Sequence, residues 1–202
     1  MDALTLLKQD HRTVEELFTK FEALTDRALK QRKTIAERIV RELSIHSVIE
    51  EQLLYPTIRQ KSDELNALVL EALEEHHVAK WLLNEIDGLP GDAERFAAKV
   101  KVLIENVRTH VKEEERELFP LVRKAMSREE LMELGENLAQ LKKAAPTRPH
   151  PRAPDQPPGN LIAGAVAKVM DTGRDLLSGR RVRPQEMAAR QGRVAKSNKK
   201  RK

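Results

Sequence analysis

The sequence predicts an all-α protein: an antiparallel up-down-up-down four-helix bundle with a short fifth helix and a disordered basic C-terminal tail. Three observations predict it. Charged residues make up 34% of the 202-residue chain and aromatics only 3%, a mix dominated by residues that lose little on entering a helix. Apolar residues recur at alternating spacings of three and four through four successive segments, which draws one stripe down each helix. The connections between those segments are short, so consecutive helices run antiparallel. No strand pattern competes.

In the first segment the stripe is Leu4, Leu7, His11, Val14, Phe18 and Phe21, and in the second Ala36, Ile39, Leu43, His46, Glu50 and Leu53. A third runs Leu65, Val69, Ala72, His76, Ala79, Leu83 and Ile86, then stops at Gly88 as a C-terminal cap. Asp92 is placed to cap the fourth, which carries Phe96, Val100, Leu103, Val107, His110, Glu114 and Leu118. Ser127 to Glu130 reads as a capping box that opens the short fifth helix, ending near Lys143. Residues 1–144 therefore form the bundle. Residues 145–160 hold six prolines and read as a stiff linker, 161–179 as a short amphipathic helix, and 180–202 as a basic disordered tail.

Charge is divided along the chain. Residues 145–202 carry 14 Lys and Arg against four acids, which leaves 23 basic and 28 acidic residues in the bundle. The overall net charge of +5 thus belongs to the tail. Cysteine is absent, which excludes disulfides, thiolate zinc sites and iron–sulfur clusters. No apolar run reaches the roughly 18 residues of a membrane span, and the N-terminus lacks a signal-peptide pattern, so a cytoplasmic location is expected.

Each stripe is apolar except at one or two places, and those places hold His or Glu. His46-x-x-x-Glu50-Glu51-x-x-Leu54-Tyr55-Pro56 matches His110-x-x-x-Glu114-Glu115-x-x-Leu118-Phe119-Pro120 at an offset of 64, and Asp10-His11 matches Glu75-His76 at 65. The bundle reads as two copies of one hairpin, each giving a His and then a His-x-x-x-Glu. Residues four apart share a helix face, roughly 6 Å along the axis. His46 with Glu50, and His110 with Glu114, therefore point into the interior, where His11 and His76 can meet them.

One His on an apolar face is more often an ordinary core residue than a ligand. Six such residues on four matching stripes are a different case: four imidazoles and two carboxylates crowded away from water call for a cation. A carboxylate can bridge two ions, so a dinuclear site accounts for both glutamates. Mixed nitrogen and oxygen ligands suit iron, with manganese or zinc open from ligand type alone. Glu51 and Glu115 fall one step off the stripe, as surface residues or as partners for a ligand His. Tyr55 and Phe119 read as packing above the site, Pro56 and Pro120 as kinks or helix ends, and His77 and His150 as solvent-facing or linker residues.

Over residues 1–125 these motifs resemble the hemerythrin-like family, specifically bacterial proteins with the HHE cation-binding domain. The resemblance implies two non-haem irons bridged by carboxylates, held by His11, His46, Glu50, His76, His110 and Glu114. It further implies binding of, or reaction with, dioxygen, peroxide or nitric oxide. One position departs from the oxygen-carrying hemerythrins, which have a second His four residues from the first on the third helix. Here Ala72 and Lys80 stand four away from His76, which leaves one iron under-ligated and favours reaction over simple oxygen carriage, with catalase- or peroxidase-like turnover as a further reading. The competing expectation is a metal-sensing regulatory protein whose tail, residues 180–202, binds nucleic acid non-specifically, since it has many Lys and Arg and no aromatic residue for base stacking.

Overall fold

The computed structural model describes residues 1–151. Helix α1 spans Ala3–Glu22 and is capped by Asp2, whose carboxylate accepts from the Thr5 amide at 2.9 Å. The second rod is α2 (Leu29–Ile49), a wide π turn (Glu50–Leu54, π1) and α3 (Tyr55–Ile58) in sequence. Helix α4 spans Asp63–Gly88 and is capped by Ser62. The fourth rod repeats the second: α5 (Phe96–Glu113), π2 (Glu114–Leu118) and α6 (Phe119–Ala125). Helix α7 (Arg128–Ala144) closes the set, opened by the capping box of Ser127 and Glu130. No strand occurs among the described residues, and no helix among them is long and apolar enough to cross a membrane.

The prolines explain the π turns. In a regular α-helix Pro56 would leave the Gln52 carbonyl without a donor and press its ring against it; Pro120 would do the same to Arg116. Instead each rod widens just before its proline, and the amides of Tyr55 and Phe119 donate to the Glu50 and Glu114 carbonyls five residues back. The expectation of a helix end is thereby corrected: both helices pass through their prolines.

Two further caps differ from expectation. Helix α5 begins at Phe96 with Arg95 before it and no side-chain cap, because Asp92 lies in the turns between the helices rather than at the boundary. Gly88 is the last residue of α4 and adopts no left-handed conformation. The helix stops because Leu89 is extended (φ −88°, ψ 140°), as a residue before proline prefers.

Helix α1 packs on α2, α4 on α5, α2 on α4, and α7 lies across α1 and α2. The core has two apolar parts. One gathers Leu4, Leu7, Ile49, Leu54, Val69, Phe119 and Val122 with Leu131 and Leu138 of α7. The other gathers Leu17, Phe18, Ile39, Val40, Leu83, Phe96 and Leu103. Between them, one level along every rod, lie His11, His46, Glu50, His76, His110 and Glu114, all buried.

Beyond α7 the chain stays on the bundle as far as it is described. Ala145, Pro146, Arg148 and Pro149 are buried, His150 is half-buried, and Arg148 pairs with Asp87. The rest of the expected Pro-rich linker, the amphipathic helix at 161–179 and the basic tail at 180–202 lie outside the described residues.

Helix α7 is seated by a glycine. A Cβ on Gly135 would lie 2.2 Å from the Met1 carbonyl oxygen and 2.7 Å from the Ala3 nitrogen, both backbone atoms that no rotamer change can move. Gly135→Ala gains up to about 1 kcal/mol of helix propensity but overpacks this contact at a cost of about 1–3 kcal/mol. We expect a net loss of stability in chemical denaturation; a variant as stable as the parent would show that α7 can lift off α1.

Candidate metal centre

The structure brings all six sequence-predicted residues to one layer. Ligand-capable atoms of His11, His46, Glu50 and Glu114 lie within 4.8 Å of one another, as do those of Glu50, His76 and His110. Glu50 belongs to both groups. All four imidazoles turn Nε2 inward: His46 Nε2 is 3.1 Å from Glu50 Oε2, His76 Nε2 3.5 Å from the same oxygen, and His11 and His110 Nε2 3.3 and 3.6 Å from Glu114 Oε2.

The outer nitrogens fix this orientation. His11 Nδ1 donates to Glu115 at 2.8 Å, His76 Nδ1 to Glu51 at 3.0 Å, and His110 Nδ1 to Glu75 at 2.6 Å. His46 Nδ1 faces Asp10 at 3.9 Å, and Lys142 of α7 pairs with the other Asp10 oxygen. A carboxylate on Nδ1 keeps the proton there and leaves Nε2 as a lone-pair donor, the arrangement a metal-ligating His requires.

The consequence inside is a ring of acceptors. The Nε2 atoms of His76 and His110 are 3.1 Å apart, with both ring protons committed outward. His11 Nε2, His46 Nε2, both oxygens of Glu50 and Glu114 Oε2 are buried without a hydrogen-bond partner. Buried acceptors facing acceptors are costly unless a positive charge lies among them. The proton equilibria express the same conflict. Burial pushes Glu50 well above the ordinary carboxylate range, with the charge of Glu114 adding to it. Burial opposes the charge on Glu114 too, but His110 and His11 hold its carboxyl well below that range. Burial pulls the His46 imidazole down to about 4. Burial acts on His110 in the same sense, but Glu114 and Glu75 outweigh it and raise it. Two carboxylates share this space only where one is protonated or a cation compensates both.

Sequence reasoning left the role of several neighbours open. Glu51, buried, and Glu115, partly exposed, are the partners of His76 and His11. Asp10 and Glu75 were seen only as repeat-matched acids before a His; each serves the His of the other helix in its own hairpin. Lys80, four residues past His76, is buried and donates to Glu51 at 3.1 Å. His77 is off the layer, accepting from Trp81 Nε1 at 3.2 Å. Phe119 stacks on His11, with centroids 5.8 Å apart and 7° between planes. Its counterpart Tyr55 does more than pack: its hydroxyl donates to Glu114 Oε1 at 2.9 Å and lies 3.4 Å from His76 Nε2.

A helical bundle with two clusters of buried imidazole and carboxylate defines a cation-binding class of protein. The pattern of the hemerythrin HHE cation binding domain matches residues 2–122, and the chain belongs to that family. It is 28% identical over 170 residues to an uncharacterised hemerythrin-like protein of Schizosaccharomyces pombe, covering 84% of this chain and 83% of that protein. It is 30% identical over 130 residues to a DNA nickase of a Nostoc species, covering 64% of this chain but only 36% of the nickase. A crystal structure of a hemerythrin HHE cation binding domain-containing protein from Mycobacterium kansasii shares the fold, with a TM-score of 0.61 and 24% identity over 71% of this chain and 86% of that one.

The carboxylates on Nδ1 give the first test of this centre. Glu51→Ala and Glu75→Ala, which leave all six inward residues in place, are expected to weaken metal binding about 10–100-fold without changing the stoichiometry at saturation. Titration of the metal-free protein with cobalt(II) measures both quantities; unchanged affinity in both variants would reduce these pairs to packing.

Proposed function

We propose that the chain is a non-haem di-iron protein that binds or reacts with dioxygen, peroxide or nitric oxide, as a sensor, scavenger or store. The observation that carries this reading is that Glu50 is common to both ligand groups, the position of a carboxylate that bridges two cations. His11, His46 and Glu114 would complete one side and His76 and His110 the other, a donor set that suits iron. Iron bound there would supply the redox chemistry toward a small oxidant.

The chain's own residues do the rest. The carboxylates on Nδ1 hold the rings of His11, His76 and His110 in one orientation, and Tyr55 keeps a proton directed at Glu114. The residues four from His76 are Ala72 and Lys80, and Lys80 is tied to Glu51, so that helix would contribute a single ligand. A cavity of about 300 Å³ adjoins His11, His46, His76 and His110 on the side of Leu43, Ala79, Leu83 and Val107. Its walls combine these apolar side chains with Ser47, Glu75, Asn106 and Thr109, a lining that suits small, weakly polar molecules.

Metal analysis and the optical spectrum of protein purified under air test this reading. We expect near two irons per chain and an oxo-bridge charge-transfer band, with Glu50→Ala and Glu114→Ala each lowering iron content and melting temperature. At a metal concentration a thousandfold above its dissociation constant, binding stabilises the fold by about 4 kcal/mol, so chelation should lower the melting temperature of the parent as well. Iron near zero in the parent, or unaltered in both variants, would overturn the assignment. Ala79→Phe, which fills the cavity, should slow the spectral change on adding peroxide or nitric oxide while iron content stays constant.

A second reading has two observations in its favour: the relative named a DNA nickase and the basic balance of residues 180–202. Under it the metal centre acts as a sensor and the tail holds nucleic acid. The shared part is about a third of the nickase. Replacing all ten Lys and Arg of residues 180–202 with Gln in the full chain should then weaken retention of DNA in a gel shift; equal retention excludes the tail.

A further inference from the structure

Cavities of quite different character touch the ligand histidines. The apolar one described above adjoins all four. A groove between α1 and α5 reaches His11 past Arg12, Arg108, Lys112 and Arg116, where cationic groups outnumber the acids Glu15 and Glu115. A smaller cavity of about 140 Å³ opens between α4 and the α5–π2 rod, and the ionisable side chains lining it, His110 apart, are all acidic: Glu71, Glu75, Glu113, Glu114 and Glu117.

These five carboxylates are graded in depth. Glu71, Glu113 and Glu117 are exposed at the rim, Glu75 is half-buried, and Glu114 is only 3% exposed at the base. Glu75 is bonded to His110, so the throat ends on a ligand imidazole. Glu114 lines the base, and its Oε2 has no hydrogen-bond partner. An acidic cluster alone would be a solvated surface; here it leads to a buried, unpartnered carboxylate oxygen of the centre.

We propose that this acidic vestibule is the portal through which divalent cations reach the buried centre. A cleft of one charge sign with low-dielectric walls raises the local concentration of counter-ions and speeds their capture by about 10–1,000-fold. The rim carboxylates exchange water for protein oxygen in stages, which eases dehydration of a hard cation before it meets imidazole. The basic groove disfavours a cation, and the larger cavity sets a single carboxylate, Glu75, against the five of the vestibule. Cations and neutral oxidants thus arrive by separate openings on one seam, divided by the Glu75–His110 pair that lines both. The inference rests on the metal centre and is independent of the oxidant.

The test is the rate at which the metal-free full-length protein takes up cobalt(II), followed by absorption in rapid mixing. Glu71→Gln/Glu113→Gln/Glu117→Gln should load about tenfold more slowly at low ionic strength and reach the same final stoichiometry. The difference should shrink as added salt brings the screening length below about 8 Å. A charge-matched control on α7, Glu129→Gln/Glu133→Gln/Glu136→Gln, should load like the parent. Glu117→Lys alone, a reversal at the rim, gives a second reading with minimal risk to folding. Equal loading rates for parent and rim variants, or equal slowing in the α7 control, overturn the portal while leaving the centre intact. Failure of the parent to bind cobalt at all overturns both.

Discussion

The structure depends on one constraint: a full layer of hydrogen-bond acceptors sits where a helical bundle normally places Leu, Ile and Val. Four imidazole lone pairs and two carboxylates cannot satisfy one another, because every ring proton is already committed to an outer carboxylate or turned toward one. Such a layer costs several kcal/mol for each unpaired charge, and the fold bears it by clamping it between two well-packed apolar cores. Those cores hold the four rods in register. The layer therefore stays preorganised instead of collapsing or swelling with water, which is what a cation needs if it is to find its ligands already in place.

Much of this was legible in the sequence because the same residues obey two periodicities at once. His11, His46, Glu50, His76, His110 and Glu114 keep the helical stripe, which places them inside, and break its apolar character, which marks them as chemistry. The 64-residue repeat then ties the halves together. Other features depend on information a stripe does not contain. Asp10 and Glu75 each lie about 100° around the helix from the neighbouring His, so their partners are fixed only by which helix crosses there. Glu51 and Glu115 are consecutive with a ligand and still reach a His, because the backbone widens into a π turn at that point. That widening traces to Pro56 and Pro120, whose place in the sequence reads as a kink or an end without saying how the backbone accommodates them. The Asp92 cap failed for a simpler reason: an acid before an apolar stripe fits several turn geometries, and here the chain spends three more residues in turns.

The two halves match at the motif positions that build the layer, and the differences around it concentrate near His76. Tyr55 gives a hydroxyl to Glu114, whereas Phe119 gives Glu50 nothing and stacks on His11 instead. Lys80 enters the shell of carboxylates around His76. The side built on His76 and His110 thus differs from the side built on His11 and His46 in its donors, its neighbouring charge and its contact with phenol. Two cations held here would have unlike surroundings, and unlike affinities and redox behaviour follow from that alone.

The pairing of His11 with Glu115 and of His76 with Glu51 joins opposite hairpins, each glutamate crossing to orient the other half's imidazole. That reciprocal exchange is the signature of an isologous contact between two identical subunits, here realised within a single polypeptide. Neither hairpin alone could orient its own leading histidine. Both hairpins are needed to orient the full set of imidazoles, and because they share one chain Tyr55 and Phe119 can differ, whereas a true homodimer would have to carry the same residue at both places.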